Sequence, residues 1–298
     1  TYPEQAADSA ELIKNGEIAM YNAKENGKNS YKFYEREMER QIKDSLQLEK
    51  DLRQAIENDE FELFYQPLFD LEQGKVITLE ALIRWKQSDG SYLSPVEFIP
   101  FAERTGLITE IGSWVLQEAC RQKREWLQKG FNDFSISINI SAKELEAANF
   151  YEDLVRQINN KNIDCHKIEL EITESDVMKN LNKNIKILEK LREHGIKVSL
   201  DDFGTGYSSL NYLRKMPIDN IKIDRSFINN ILTDQKEKRI LSSIIELSKT
   251  IGLKITVEGI ENEEQLQFIK DKNCDRAQGY LLARPAPAAE IESYLSNN

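Results

Sequence analysis

At 298 residues, 40% hydrophobic and 31% charged, the chain has an ordinary globular balance and room for one barrel of about 250 residues. A net charge of −11 argues against a generic polyanion binder, although an anionic small substrate stays open because a bound metal inverts the local field. No apolar run approaches the roughly 20 residues that span a bilayer. With no secretory leader and a threonine at position 1, the expectation is a piece of a longer protein, attached to a membrane only through missing upstream segments. Cys120, Cys165 and Cys274 are too few and too far apart for a disulfide framework or a zinc pattern, and point to a reducing cytosol. His166 and His194 flank predicted strands among polar residues and read as surface groups. Any chemistry must then rest on carboxylates, lysine and metal.

Residues 10–24 predict a helix with Ile13, Ala19, Met20 and Ala23 inward, stopped by Gly27. Residues 31–34 alternate in a way that predicts a strand, and 35–59 predict a long charged helix, either a signalling helix or dimer seam, or a solvated linker. From Phe61 the period changes. Runs 61–71 and 75–85 meet at Glu72-Gln73-Gly74 and predict a hairpin. Helical stretches follow at 95–103, 110–129, 151–160, 181–193, 236–251, 263–270 and 288–295. Between them lie strand-like runs at 134–140, 167–172, 196–200, 220–223, 254–257 and 275–278. Such alternation implies parallel β/α units, and a count near eight favours a closed (β/α)8 barrel over an open sheet.

The chain is organised around Val198-Ser-Leu-Asp-Asp-Phe-Gly-Thr-Gly-Tyr-Ser-Ser-Leu210, a buried strand ending in Asp201 and Asp202 and then in glycines. Neighbouring carboxylates repel unless a cation lies between them or one is protonated, and carboxylate oxygens suit magnesium, manganese or calcium. The plainer reading of an Asp pair is a turn or helix cap. Other strand ends carry Glu80, Asn139, Glu171 with Glu174, Lys222, Glu258 with Glu261, and Gln278. In a β/α barrel these ends share one rim, and so many acids around one lysine would be untenable without metal.

Two resemblances attach to these residues. Residues 18–29, Ile-Ala-Met-Tyr-Asn-Ala-Lys-Glu-Asn-Gly-Lys-Asn, resemble the end of the GGDEF domains that make cyclic di-GMP. The Gly-Gly-Asp-Glu-Phe motif itself is absent, so no cyclase activity is expected. Residues 1–35 are thus read as a GGDEF-like remnant, 36–45 as a helical linker and 46–298 as a second domain. That domain resembles the EAL-domain cyclic di-GMP phosphodiesterases. The matching pieces include Tyr65-Gln-Pro67, Glu80-Ala-Leu-Ile-Arg-Trp85, Ser137-Ile-Asn-Ile-Ser141, Glu171-Ile-Thr-Glu174, Asp201 to Leu210, Ile221-Lys-Ile-Asp224, Val257-Glu-Gly-Ile-Glu261 and Gln278-Gly-Tyr280, in this order.

The family implies a modified TIM (β/α)8 barrel with one antiparallel strand, two magnesium or manganese ions per site, and a homodimer; calcium, which prefers longer bonds and looser coordination, is expected to inhibit. It implies hydrolysis of cyclic di-GMP, a small molecule and no nucleic acid polymer, to linear pGpG in the bacterial cytoplasm. By resemblance Glu80, Asn139, Glu171 and Asp201 hold one metal. Asp201 and Asp202 hold the second, with Glu258 as ligand or base. Glu80, Lys222 and Glu258 are then the catalytic group, and Gln66, Arg84 and Gln278 the substrate contacts, Arg84 to a phosphate. Glu174 and Glu261 would anchor the 201–210 loop. For Arg84 the plainer reading is a rim salt bridge, and for Glu174 a helix-capping acid. The sequence departs from the family at 282–286, Leu-Ala-Arg-Pro-Ala, near the expected guanine pocket. The alternative function is a catalytically silent cyclic di-GMP sensor. A carboxylate-pair glycosidase has no use for Asn139, Asp202 and Lys222 together.

Overall fold

The computed structural model describes residues 6–25, 30–204 and 210–296. It divides into two compact units, one formed by residues up to Asp59 with Val96–Leu107, the other by Glu60–Pro95 with the chain from Ile108 onward. In the first unit, helices Ser9–Glu25 and Arg36–Glu57 are joined by Lys14 Nζ donating to Glu39 at 2.9 Å. The first helix buries Asn15, Ala19 and Ala23 at i, i+4 spacing, whereas Ile13 and Met20 face water, contrary to expectation. Small residues on that stripe allow a close helix approach that bulkier Ile and Met would hinder. Residues 31–34 form no strand: the described chain offers them no pairing partner, and Tyr31 and Phe33 are exposed with their rings edge-on at 5.7 Å. Asn26 to Asn29, including Gly27, fall outside the described residues.

The second unit is a barrel. Its strands are β1 Phe61–Asp70, β2 Val76–Lys86, β3 Tyr92–Leu93, β4 Ser135–Asn139, β5 Ile168–Thr173, β6 Lys197–Phe203, β7 Asn220–Ile223, β8 Lys254–Val257, β9 Arg276–Ala277 and β10 Ala286–Pro287. Eight close the ring in the order β1-β2-β4-β5-β6-β7-β8-β9-β1, while β3 and β10 are short additions. β1 runs antiparallel to both its neighbours, and every other barrel pair is parallel. The expected modified (β/α)8 barrel with one antiparallel strand is therefore the observed fold. β1 and β2 pair from Phe61↔Trp85 to Phe69↔Val76, and at their turn Asp70 Oδ1 accepts from the backbone of Glu72 and Gln73. The seams of β9 are much shorter: Phe69↔Ala277 and Asp70↔Arg276 on one side, Thr256↔Arg276 and Val257↔Ala277 on the other.

β4, β5 and β7 are buried almost throughout, which is why they read as near-continuous apolar runs. The helix Ile108–Gln128 covers the outside with Ile111, Val115, Leu116, Ala119 and Trp126. Trp126 packs edge-on to Tyr65 at 4.8 Å and to Phe134 at 5.5 Å. The same helix buries Lys123 completely, its ammonium donating to the Phe134 carbonyl at 2.7 Å over the Phe134 ring. Inside the barrel, Arg276 donates to both oxygens of Glu169 at 3.1 Å. Ser199 donates to Glu169 and accepts from Asn220, which accepts from Thr256. This belt satisfies polar groups that would otherwise be costly to bury.

Candidate active site

Parallel strands bring their C-terminal ends to one rim, and the expected residues arrive there from different strands. Glu80 lies on β2, Asn139 on β4, Glu171 on β5, Asp201 and Asp202 on β6 and Lys222 on β7. Glu258 follows β8, its N–H donating to Ile223 at 3.1 Å. Gln278 follows β9, its N–H donating to Val257 at 3.0 Å.

Lys222 is the hub. Its fully buried ammonium lies 2.5 Å from Glu171, 2.7 Å from Glu258, 3.3 Å from Asp201 and 3.7 Å from Glu80. Both oxygens of Glu80 are also occupied: Asn139 donates to one at 3.0 Å and Gln278 to the other at 2.7 Å. Gln278 further donates to Gln66 at 2.9 Å, and Gln66 to the Ala283 carbonyl at 3.1 Å. None of Glu80, Glu171, Asp201 and Glu258 caps a helix; capping falls to Ser141, Thr173, Asp224 and Asn262.

Four carboxylates around one ammonium leave an excess of negative charge, and protons are held accordingly. Burial, with Glu80 and Asp201 adding to it, drives Glu171 well above the usual carboxylate range. Burial raises Glu258 to about 8 against the pull of Lys222. Burial and then Asp201 push Asp202 up. Glu80 goes the other way, because Lys222, Gln278 and Asn139 outweigh its burial. Burial would lower Lys222, but Asp201, Glu171, Glu258 and Glu80 hold it well above the ordinary lysine range.

β6 delivers its two acids through a bulge. Between Leu200 and Phe203 it carries one residue more than β7, and Asp202 takes a left-handed φ of 52°. Aspartate accepts that region better than most side chains, and a bulge lets two successive acids escape strict strand alternation.

Among the described residues no group of three or more His, Cys, Asp or Glu side chains is arranged to hold a metal ion. Lys222 stands where their charges converge. The donor chemistry nevertheless fits a hard cation: carboxylates and one amide, an excess of negative charge, and Glu171 Oε1 and Asp201 Oδ1 buried with no hydrogen bond.

A cavity of about 200 Å³ opens beside the cluster, lined among others by Gln66, Glu80, Asp201, Lys222, Glu258 and Gln278. Its wall adds Arg225, Glu261 and the half-exposed Tyr280. Arg225 directly follows the Ile221–Asp224 piece and Tyr280 closes the Gln278-Gly-Tyr280 piece, but the sequence assigns neither of them a role in the site. Arg284, part of the departure at 282–286, stacks over the Tyr280 ring at 4.3 Å. Arg84 donates to the Ile83 carbonyl at 2.8 Å and lies over Phe64, rather than forming the plain salt bridge. Glu174 opens the helix Glu174–Lys179, capped by Thr173, and its Oε2 is buried without a partner among the described residues. Thr205 to Ser209, which Glu174 and Glu261 are expected to anchor, lie outside the described residues.

Comparison with known proteins agrees with this geometry. The EAL domain model matches residues 49–285. The chain is 42% identical over 290 residues to the bifunctional diguanylate cyclase/cyclic di-GMP phosphodiesterase MucR of Pseudomonas aeruginosa, covering 97% of this chain and 42% of that protein. It is 39% identical over 294 residues to the cyclic di-GMP phosphodiesterase NbdA of the same organism, covering 99% and 38%. The chain thus spans about two-fifths of the length of these relatives. A solved structure of the PaMucR phosphodiesterase in complex with c-di-GMP superimposes with a TM-score of 0.79 at 42% identity, covering 82% of this chain and 99% of that one. With the barrel, the reversed strand and the acid-bearing rim in place, the chain belongs to the EAL-domain family.

Proposed function

We propose that this protein hydrolyses one phosphodiester of cyclic di-GMP to give linear pGpG. The observation that carries this reading is the convergence of Glu80, Glu171, Asp201 and Glu258 on Lys222, with Asn139 and Asp202 beside them, at one rim of the barrel. Magnesium or manganese would be held as a pair by Glu80, Asn139, Glu171, Asp201 and Asp202, with Glu258 alongside. Bound there, two such cations lower the pKa of water and stabilise charge on the attacking and leaving oxygens.

The chain's own residues supply the rest. Gln278 and Asn139 fix both oxygens of Glu80, so that this carboxylate presents one orientation. Glu258, with 22% of its side chain exposed, is the most open of the four carboxylates around Lys222. It is placed to accept the proton of the attacking water, and Lys222 to offset negative charge developing on the phosphoryl oxygens. Tyr280 offers a ring face to a guanine base, and Arg84 a guanidinium to a phosphate. Gln66 and Gln278 line the cavity as further substrate contacts. The catalytic unit is proposed to act as a cytoplasmic homodimer.

The test is purified protein with cyclic di-GMP and magnesium or manganese, followed by chromatography of the products. Appearance of pGpG is expected. Tight binding with no turnover under both metals would move the protein to the sensor class.

A further inference from the structure

We infer that the single 3-10 turn Arg225–Phe227 acts as a spacer, setting the distance between the two acid-bearing strand ends that flank Lys222. The turn follows β7 directly, and Asp224 caps it by accepting the Ser226 N–H at 2.9 Å. On one side the Phe227 ring lies against Gly204, two residues beyond Asp202. A Cβ on Gly204 would stand 2.6 Å from ring Cζ. On the other side the stem of Arg225 lies against Gly259, the residue after Glu258. A Cβ there would stand 2.4 Å from Arg225 Cβ and 3.2 Å from its Cα. These approaches are closer than real Cβ atoms make, and both glycines hold left-handed φ values of 97° and 71°.

One turn therefore touches the backbone of both loops that carry the carboxylates. β6, β7 and β8 are tied twice. The ionic tie runs through Lys222 to Asp201 and Glu258. The steric tie runs through Phe227 and Arg225, and it persists whatever charge the carboxylates carry. Close-packed contacts resist small displacements, so the turn holds the acids at a fixed spacing. Phe227 and Arg225 are positioning residues: they act through Asp201, Asp202 and Glu258, not on the substrate. The rate readout of the test rests on the proposed hydrolysis; the metal readout does not.

The experiment compares Phe227→Ala, Phe227→Leu and Arg225→Ala with the wild type. It measures kcat and KM for cyclic di-GMP, Mn2+ affinity by titration calorimetry without nucleotide, and thermal stability. Misplacement of about 1 Å costs on the order of 10²-fold in rate, so kcat of Phe227→Ala should fall by about that factor with KM little changed. Mn2+ binding should weaken in Phe227→Ala and Arg225→Ala, and Phe227→Leu should recover part of both losses. Normal kcat and Mn2+ affinity in a folded Phe227→Ala variant would overturn the inference. So would a rise in KM alone for Arg225→Ala, which would make it a substrate contact. Should Phe227→Ala fail to fold, Phe227→Leu carries the test, with a fall of about tenfold expected and an unchanged enzyme overturning it. A wild type that does not turn over cyclic di-GMP removes the functional reading alone, because the Mn2+ titration still reports on the spacer.

Discussion

Replacing Lys222 by methionine tests the electrostatic reading of the rim at its centre. The ammonium is fully buried and is the cation shared by Glu80, Glu171, Asp201 and Glu258. Removing one partner of a buried ion pair costs about 3–5 kcal/mol, because the other is left without compensation. For a domain of this size each kcal/mol shifts the melting temperature by about 2–4 °C, so a fall of roughly 6–20 °C is expected in chelator. The loss should depend on pH. In the wild type Glu258 titrates at about 8 instead of its ordinary 4.5, so the folded state holds an extra proton between those values. Stability from that proton is fully present below pH 4.5 and is lost as pH rises towards 8. Without Lys222 the carboxylates depend still more on protons, so the deficit should be larger at pH 8 than at pH 5.5. Divalent metal, which supplies the missing charge, should restore part of it. Thermal melts of both proteins at the two pH values, with EDTA and with Mn2+, read all three effects. A variant melting within a degree or so of the wild type at both pH values, whatever the metal, would refute the hub.

Glu80→Ala and Asp201→Ala should each abolish turnover of cyclic di-GMP, measured as pGpG released; near-wild-type rates in either would place the metals elsewhere. Calcium should inhibit in a competition assay against magnesium, because it takes longer bonds and looser coordination; full activity with calcium alone would contradict this. Glu174→Ala should leave the protein folded but slow turnover and alter self-association if it anchors the 201–210 loop. A cost of only about 1 kcal/mol in stability, with both properties normal, would return it to a helix-terminal role. Lys123→Met should stabilise the protein at pH 7 by on the order of 1 kcal/mol or more, because the variant no longer desolvates an ammonium, less what the Phe134 carbonyl loses with its donor. Burial pushes Lys123 from 10.5 down to about 7, so the unfolded chain binds more protons between those values and wild-type stability rises through that window. The advantage of the variant, followed by denaturant melts, should therefore shrink towards pH 10; an advantage independent of pH would refute the cause.

Much of the barrel was legible because period and punctuation agreed. The helices Leu181–Glu193 and Ala288–Leu295 and the strands Asn220–Ile223 and Lys254–Val257 fall where apolar spacing put them. The acids were legible because each ends or interrupts an apolar run, where charge has no packing reason to be. The misses have physical causes. Residues 31–34 alternate like a strand, but a strand exists only by pairing, and no local pattern supplies the partner. The helices Ala142–Leu145 and Glu174–Lys179 are too short for a periodicity signal, although Ser141 with Glu144, and Thr173, carried their caps in plain view. The bulge at β6 is invisible because an Asp pair reads the same with or without an extra residue. Lys123 sits on an amphipathic helix where lysine ordinarily marks the wet face. The Gln66–Gln278–Glu80 chain joins residues some two hundred positions apart, beyond any local reading.

The brevity of β9 has a consequence for how the barrel breathes. Each of its seams has two register pairs, against nine between β1 and β2. Its seam with β1 also joins positions far apart in the chain, so its formation carries the entropy of closing nearly the whole barrel. A ladder with few rungs is where local opening begins, at a free energy well below that of global unfolding. Amide protons at this seam should exchange with solvent sooner than those of the buried central strands. Gln278 is the next residue after β9, and its side chain donates to Glu80 Oε2. Fraying of this one strand would take the Gln278 bond from Glu80 and leave only the Asn139 bond to orient it, so the least secured joint of the cylinder is coupled to one of its principal acids.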